Sequence, residues 1–140
     1  MKTYFWITLF LVSCNITIAQ SEDDQIRSSI NKYIEGSSYN KPETIKEAFY
    51  DEANLFLSHK EKKLWIVPIK EYASWFEKGE QGKFNGRKGK ILSVDRENDI
   101  AMAKAEILIE DKDMRYIDIF LLKKIDGEWK IISKAATTKK

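Results

Sequence analysis

The feature that most constrains the fold is a change of residue pattern at Lys88, after which four extended segments follow one another. We predict strands over residues 89–95, 100–110, 114–124 and 128–136. Only short polar turns separate them, and the last turn, Asp126-Gly127, is the strongest hairpin signal in the chain. Because short turns join antiparallel neighbours, the pattern predicts an antiparallel meander in the second half of the chain.

The first half of the chain has helical periodicity instead. We predict a helix over residues 21–35, with Gly36 as its C-terminal stop and one apolar stripe made of Ile26, Ile30, Tyr33 and Ile34. A short second helix after Pro42, strands over residues 53–58 and 63–67, and a third helix after Pro68 complete the series. Helices first and sheet last is the order of an α+β fold, and 140 residues favour a single domain.

Composition excludes several classes of function. The 24 Lys+Arg oppose 22 Asp+Glu, so the chain lacks the basic excess of a nucleic-acid binder and no nucleic-acid partner is expected. One Cys cannot form an internal disulfide, and the single His59 cannot build a zinc site alone. Because the sequence also has no metal-ligand spacing, phosphate loop or dinucleotide fingerprint, we expect no metal and no other cofactor. We interpret His59 as a solvated turn residue. We interpret the basic residues as part of a solvated loop: Lys83, Arg87, Lys88 and Lys90.

Residues 1–19 have the pattern of a secretory signal peptide. Lys2 precedes an apolar run over residues 4–12, and the small residues Thr17 and Ala19 precede a cut near Gln20. We therefore expect residues 20–140 to form one exported domain, periplasmic or secreted. A lipoprotein is the alternative, because residues 11–14 resemble a lipobox; lipidation at Cys14 would then be the only attachment to a membrane.

The order of elements resembles that of the NTF2-like superfamily. The resemblance rests on residues 30–36, on residues 47–49, and above all on residues 116–134, which match the family's final hairpin: Asp118, the Asp126-Gly127 turn, then Trp129-Lys130-Ile131. The chain is most similar to the bacterial branch called putative lumazine-binding or SnoaL-like proteins. One departure is Tyr50-Asp51-Glu52-Ala53, where family members commonly have His-Pro-Asp-Ala.

The resemblance implies a cone in which N-terminal helices pack on a strongly curved antiparallel sheet. It also implies a pocket for a small molecule and a homodimer formed sheet to sheet. The fold alone does not decide the activity, because enzymes, binders and interaction modules share it.

Asp118 is the most informative candidate residue because it interrupts a strand otherwise suited to burial. Burying a carboxylate is costly unless it is paired or hydrogen-bonded. Asp118 is therefore a pocket acid or base, a ligand contact, or the partner of Lys134 in an ion pair. A two-residue Asp126-Gly127 turn would turn Lys134 to the other face of the sheet, whereas a three-residue bulged turn would set it opposite Asp118. We expect the bulged turn and the ion pair.

The expected pocket residues are mostly aromatic. They are Tyr33, Trp65, Trp75, Phe76, Tyr116, Asp118 and Lys134. Tyr116 shares a strand face with Asp118, and Tyr33 lies where the isomerase branch of the superfamily places a catalytic tyrosine. Trp65, Trp75 and Phe76 suit either an apolar pocket wall or the hydrophobic core and a dimer face.

The leading functional hypothesis is binding of a small, partly apolar ligand without catalysis. A second hypothesis is a proton-shuttling isomerase or dehydratase with Asp118 as base and Tyr116 or Tyr33 as oxyanion donor; it predicts no lysine beside Asp118. A third is a protein-interaction module whose pocket is filled by side chains; it predicts no cavity of roughly 300 Å³, the lower size of ligand sites.

Overall fold

The structure is a computed structural model that describes residues 21–139. The expected signal peptide over residues 1–19 and the alternative lipidation site Cys14 lie outside the described residues. Within residues 21–139, no helix combines the length and the apolar character needed to cross a membrane.

Three α-helices pack on one face of a sheet. They are α1 (Glu22–Ser38), α2 (Pro42–Ala48) and α3 (Ile69–Ser74), and a 3-10 turn over Trp75–Lys78 extends the last. Ser21 caps α1, since its Oγ accepts a hydrogen bond from the Asp24 N–H at 3.2 Å.

Gly36 does not end α1, which continues to Ser38, so that prediction is wrong. The glycine permits close packing instead: a Cβ on it would lie 2.7 Å from Cγ1 and 2.8 Å from the backbone nitrogen of Ile45 in α2. The glycine at this position is therefore explained by the close approach of α2, and not by a turn that ends α1.

Six strands form one sheet in the order β2-β1-β6-β5-β4-β3. They are β1 (Phe49–Leu57), β2 (Trp65–Pro68), β3 (Arg87–Glu97), β4 (Ile100–Ile109), β5 (Met114–Ile125) and β6 (Glu128–Thr138). The α+β fold and the β3–β6 meander are as predicted. The sheet is mixed and not wholly antiparallel, because β1 pairs with β6 in parallel. These two strands are distant in sequence, so no short turn dictates their relative direction.

The final hairpin has a two-residue turn. Ile125 pairs with Glu128, and Asp126 and Gly127 have φ angles of 50° and 81°. Two successive positive φ angles are those of a type I′ turn, which matches the twist of the strands it joins. The predicted three-residue turn is therefore wrong.

A bulge further along the same hairpin places Lys134 and Asp118 on one face of the sheet, as predicted. Leu122 pairs with Ile131 but Leu121 pairs with Ser133, so Ile132 is an extra residue in β6. One extra residue moves all later side chains to the opposite face. Lys134 therefore lies on the same face of the sheet as Asp118. The direct cross-strand partner of Asp118 is Ala136, two residues after Lys134.

The core lies between the helices and the concave face of the curved sheet. Helix α1 contacts β3 and β6, and it approaches β3 so closely that a Cβ on Gly89 would lie 2.7 Å from Ile34 side-chain carbons. The core contains, among others, Ile26, Ile30, Ile45, Leu55, Val67, Ile107, Phe120, Leu122 and Ile131. The packing leaves a pocket beside α3, towards the ends of β1 and β4.

Candidate functional site

A buried ion pair forms the floor of the pocket. Asp118 on β5 and Lys134 on β6 are only 1% and 2% exposed, and Lys134 Nζ lies 2.9 Å from Asp118 Oδ2. The hydroxyl of Tyr33 on α1 donates to the same oxygen at 2.9 Å and accepts from Lys134 Nζ at 3.0 Å. These bonds compensate part of the cost of burying two charges. The predicted ion pair is therefore present, and Tyr33 completes it.

Arg87 and Tyr72, which are not among the predicted pocket residues, extend this polar cluster. Nη2 of Arg87 donates to the hydroxyls of Tyr33 at 3.1 Å and Tyr72 at 3.3 Å, and the two phenol oxygens are 3.2 Å apart. We call Tyr33, Tyr72, Arg87, Asp118 and Lys134 the polar cluster. It brings together side chains from α1, α3, β3, β5 and β6.

The interpretation of Arg87 as part of a solvated loop is wrong. Arg87 is the first residue of β3, and alternation along that strand sets it on the same face as Gly89 and Ile91, towards α1. That alternation with a period of two was the sequence signal that could have placed Arg87 on the inner face of β3. Tyr72 gave none, because its ring belongs to the apolar stripe of α3 and only its hydroxyl joins the polar cluster.

The surroundings of Tyr33 and Arg87 determine the protonation states of these two side chains. Burial, and next the negative charge of Asp118, raise the pKa of Tyr33 well above its ordinary value, so Tyr33 remains a neutral phenol. Burial alone would lower the pKa of Arg87, but Tyr72, Tyr33 and Asp118 outweigh it, and that pKa rises above its ordinary value. Arg87 is therefore a permanent cation. Its Nε is buried and has no acceptor among residues 21–139.

A pocket of about 360 Å³ opens above this cluster. Its wall contains the rings of Trp65, Tyr72, Trp75, Phe76 and Tyr116, and its remaining lining residues are Leu57, Ser58, Arg87, Ile109, Lys112, Asp118, Lys134 and Ala136. Trp65 and Trp75 stack with ring centroids 5.2 Å apart. The volume lies in the roughly 300–1,000 Å³ range of small-molecule sites. A depression of about 400 Å³ beside Tyr50 is lined mainly by charged side chains and lacks such a wall.

Six of the seven expected pocket residues line this cavity: Trp65, Trp75, Phe76, Tyr116, Asp118 and Lys134. Tyr33 lies behind them, in contact with Asp118 and Lys134. The proton-shuttling hypothesis predicts no lysine beside Asp118, but Lys134 lies there. The filled-pocket hypothesis predicts no cavity of ligand size, but the cavity is open. His59 is exposed, and in residues 21–139 no group of three His, Cys, Asp or Glu could hold a metal ion.

Comparison with known proteins gives one family and one fold. The family model described as Putative lumazine-binding matches residues 21–135. One similar solved structure is an NTF2-like protein of unknown function from Shewanella baltica, which is 24% identical with a TM-score of 0.74; the match covers 85% of this chain and 94% of that one. Another is an NTF2-like protein of unknown function from Methylobacillus flagellatus, which is 25% identical with a TM-score of 0.73 and coverage of 89% and 98%. An NTF2-like protein from Cytophaga hutchinsonii is 15% identical, with a TM-score of 0.66 and coverage of 86% and 100%. No curated protein matches the chain.

Proposed function

This chain belongs to the Putative lumazine-binding family of NTF2-like proteins, and we propose that it binds a small, partly apolar ligand in the aromatic pocket without transforming it. The observation that carries the proposal is the pocket itself, a cavity of about 360 Å³ with five aromatic rings in its wall and a polar cluster at its floor. A mostly apolar cavity with a few convergent polar groups is the usual form of a small-molecule site.

The two parts of the pocket suit different parts of one ligand. Aromatic side chains offer large apolar contact surfaces that lose little entropy when a ligand packs on them. Trp75 is 38% exposed and Trp65 is half-buried, so both rings have surface that a ligand would cover. The charged and hydroxyl groups at the floor would then fix the orientation of the ligand's polar end.

The geometry around Asp118 supports binding without turnover. A general base has to reach the proton that it abstracts. Oδ2 of Asp118 instead accepts hydrogen bonds from Lys134 and Tyr33, and the carboxylate is 1% exposed. We therefore assign Asp118 to the architecture and charge of the pocket floor.

Calorimetric titration with two neutral probes tests the proposal. Lumazine is the probe that the family's description suggests, and indole-3-acetamide is a general aromatic probe. We expect saturable binding of at least one of them. Ala136→Leu fills the pocket and should weaken that binding by about tenfold or more.

The matched control is Ala135→Leu, the same change on the neighbouring, exposed residue that pairs with Ile119 on the opposite face of the sheet. It should leave the affinity unchanged. Binding that Ala136→Leu does not weaken would overturn the proposal. So would the absence of binding by lumazine, by indole-3-acetamide and by its anionic analogue indole-3-acetate.

We also propose that two copies associate through the face of the sheet that points away from α1. That face presents a row of apolar side chains, each between 44% and 53% exposed: Ile100, Met102, Ile119 and Leu121. They belong to the neighbouring strands β4 and β5, and Met102 pairs directly with Leu121. A contiguous exposed apolar patch of this kind is typical of an interface, and a two-fold axis would bury the same patch on both copies.

Export of the protein is the third part of the proposal, and it rests on the sequence of residues 1–19. Mass spectrometry of the mature protein tests it. A chain that begins near Gln20 supports a cleaved signal peptide, a lipidated chain that begins at Cys14 supports the lipoprotein route, and a retained Met1-to-Ala19 segment contradicts export by either route.

A further inference from the structure

The pocket has more positive than negative charge. Three cationic side chains line it, Arg87, Lys112 and Lys134, and Asp118 is the only carboxylate among its lining residues. At the pocket floor, Lys134 forms the ion pair with Asp118, whereas Arg87 donates only to the hydroxyls of Tyr33 and Tyr72. One formal positive charge is therefore left without an anionic partner in the part of the chain that the structure describes.

The hydroxyl groups of the cluster do not neutralise this charge. The raised pKa of Tyr33 keeps it a neutral phenol, and it already donates its proton to Asp118. Arg87 contacts the cluster only through Nη2, which donates to the phenol oxygens of Tyr33 and Tyr72, while its Nε has no acceptor among residues 21–139. The Nε–H of Arg87 is therefore a buried donor without an acceptor, which is costly unless a bound ligand supplies one.

The position of the excess charge indicates which part of a ligand would meet it. Arg87 and Lys134 lie at the floor, below the wall formed by Trp65, Trp75 and Phe76, whereas Lys112 is exposed at the 3-10 turn between β4 and β5. An incoming anion would meet the exposed Lys112 first, then the half-buried Arg87 and the buried Lys134, an arrangement that favours entry of negatively charged molecules.

We infer that the ligand is a monocarboxylate with an aromatic or apolar body, whose carboxylate lies beside Arg87 and Lys134 and whose body packs on the tryptophan wall. The inference rests on the proposed function, since it names the chemical class of the ligand in the same pocket. A single negative charge matches the single uncompensated positive charge at the floor, and a carboxylate can accept hydrogen bonds from guanidinium, ammonium and phenol groups together.

A matched pair of probes tests the inference on the unaltered protein. Indole-3-acetate and indole-3-acetamide have the same ring and differ by a carboxylate in place of an amide. By calorimetry at pH 7 and low salt, we expect indole-3-acetate to bind about 10- to 100-fold more tightly, the effect of a charge-assisted hydrogen bond in a buried site. Equal affinities, or tighter binding of the amide, would overturn the inference while leaving the proposed function intact. If neither compound nor lumazine binds, both proposals fail.

Two variants locate the effect. Arg87→Met removes the excess charge and leaves the Lys134–Asp118 pair, so the preference for indole-3-acetate should fall to about threefold or less. Arg27→Met, an exposed change on α1, is its matched control and should retain the full preference. Lys112→Met alters an exposed side chain and so does not threaten the fold; it should weaken indole-3-acetate binding by about two- to threefold and reduce its salt dependence. A full preference retained in both pocket variants would contradict the assignment.

Discussion

The buried ion pair predicts that its two partners are unequally important for stability. Removing one member of a buried pair costs about 3–5 kcal/mol, because the other charge is left uncompensated. After Lys134→Met, Asp118 keeps the hydrogen bond from Tyr33 and the nearby charge of Arg87, so we expect a cost of about 3 kcal/mol. After Asp118→Asn, Lys134 and Arg87 remain buried together without a carboxylate, so we expect about 5 kcal/mol.

Urea unfolding at pH 7, followed by far-UV circular dichroism and analysed by linear extrapolation, measures both costs. Asp51→Asn and Lys70→Met make the same changes at exposed positions and should each stay within about 0.5 kcal/mol of the unaltered protein. The double variant Asp118→Asn/Lys134→Met should be more stable than the sum of the two single costs implies. The reasoning is refuted if Asp118→Asn costs no more than Lys134→Met.

Three further predictions concern other parts of the molecule. Hydrogen bonds from Lys124 and Trp129 lower the pKa of Glu22 in the folded state. The stabilising effect of Glu22 is therefore fully present above its ordinary pKa of 4.5 and is lost as the pH falls from there through the lowered pKa. Glu22→Gln should therefore lower the urea midpoint more at pH 7 than near pH 3; an equal loss at both pH values would contradict this. Met102→Lys should convert the proposed dimer to a monomer in size-exclusion chromatography with light scattering, whereas Lys104→Met on the same face should not. Gly36→Ala should cost about 1–3 kcal/mol in urea unfolding, because the new Cβ would lie only 2.8 Å from the backbone nitrogen of Ile45; a neutral effect would mean that α2 moves freely.

Much of the fold could be predicted because residue periodicity and turn chemistry determine it locally. The alternation over residues 89–136 and the Asp126-Gly127 turn indicated the meander, and the apolar spacing that includes Tyr33 indicated α1. The parallel pairing of β1 with β6 could not be predicted, because no local pattern specifies a neighbour that is distant in sequence.

Part of the candidate site could also be predicted. The position of Lys134 was predicted correctly but for a wrong reason. Lys134 was expected to meet Asp118 through a bulged turn, whereas a bulge at Ile132 produces that facing, and nothing in the identity of Ile132 marks a bulge. The lysines and glycines around Arg87 favour a loop, although its side chain lines the pocket. The polar cluster depends on five separate elements meeting at one point, which periodicity alone does not reveal.

The most direct test of the account is where an aromatic probe binds, and the indole N–H signals in a nitrogen-15 NMR spectrum report it. Trp65 and Trp75 lie in the pocket wall, whereas Nε1 of Trp129 donates to Glu22 at 2.7 Å, away from the pocket. On titration with indole-3-acetate, the account predicts saturable shifts of the Trp65 and Trp75 signals while the Trp129 signal stays in place. Unmoved Trp65 and Trp75 signals at saturation would contradict it.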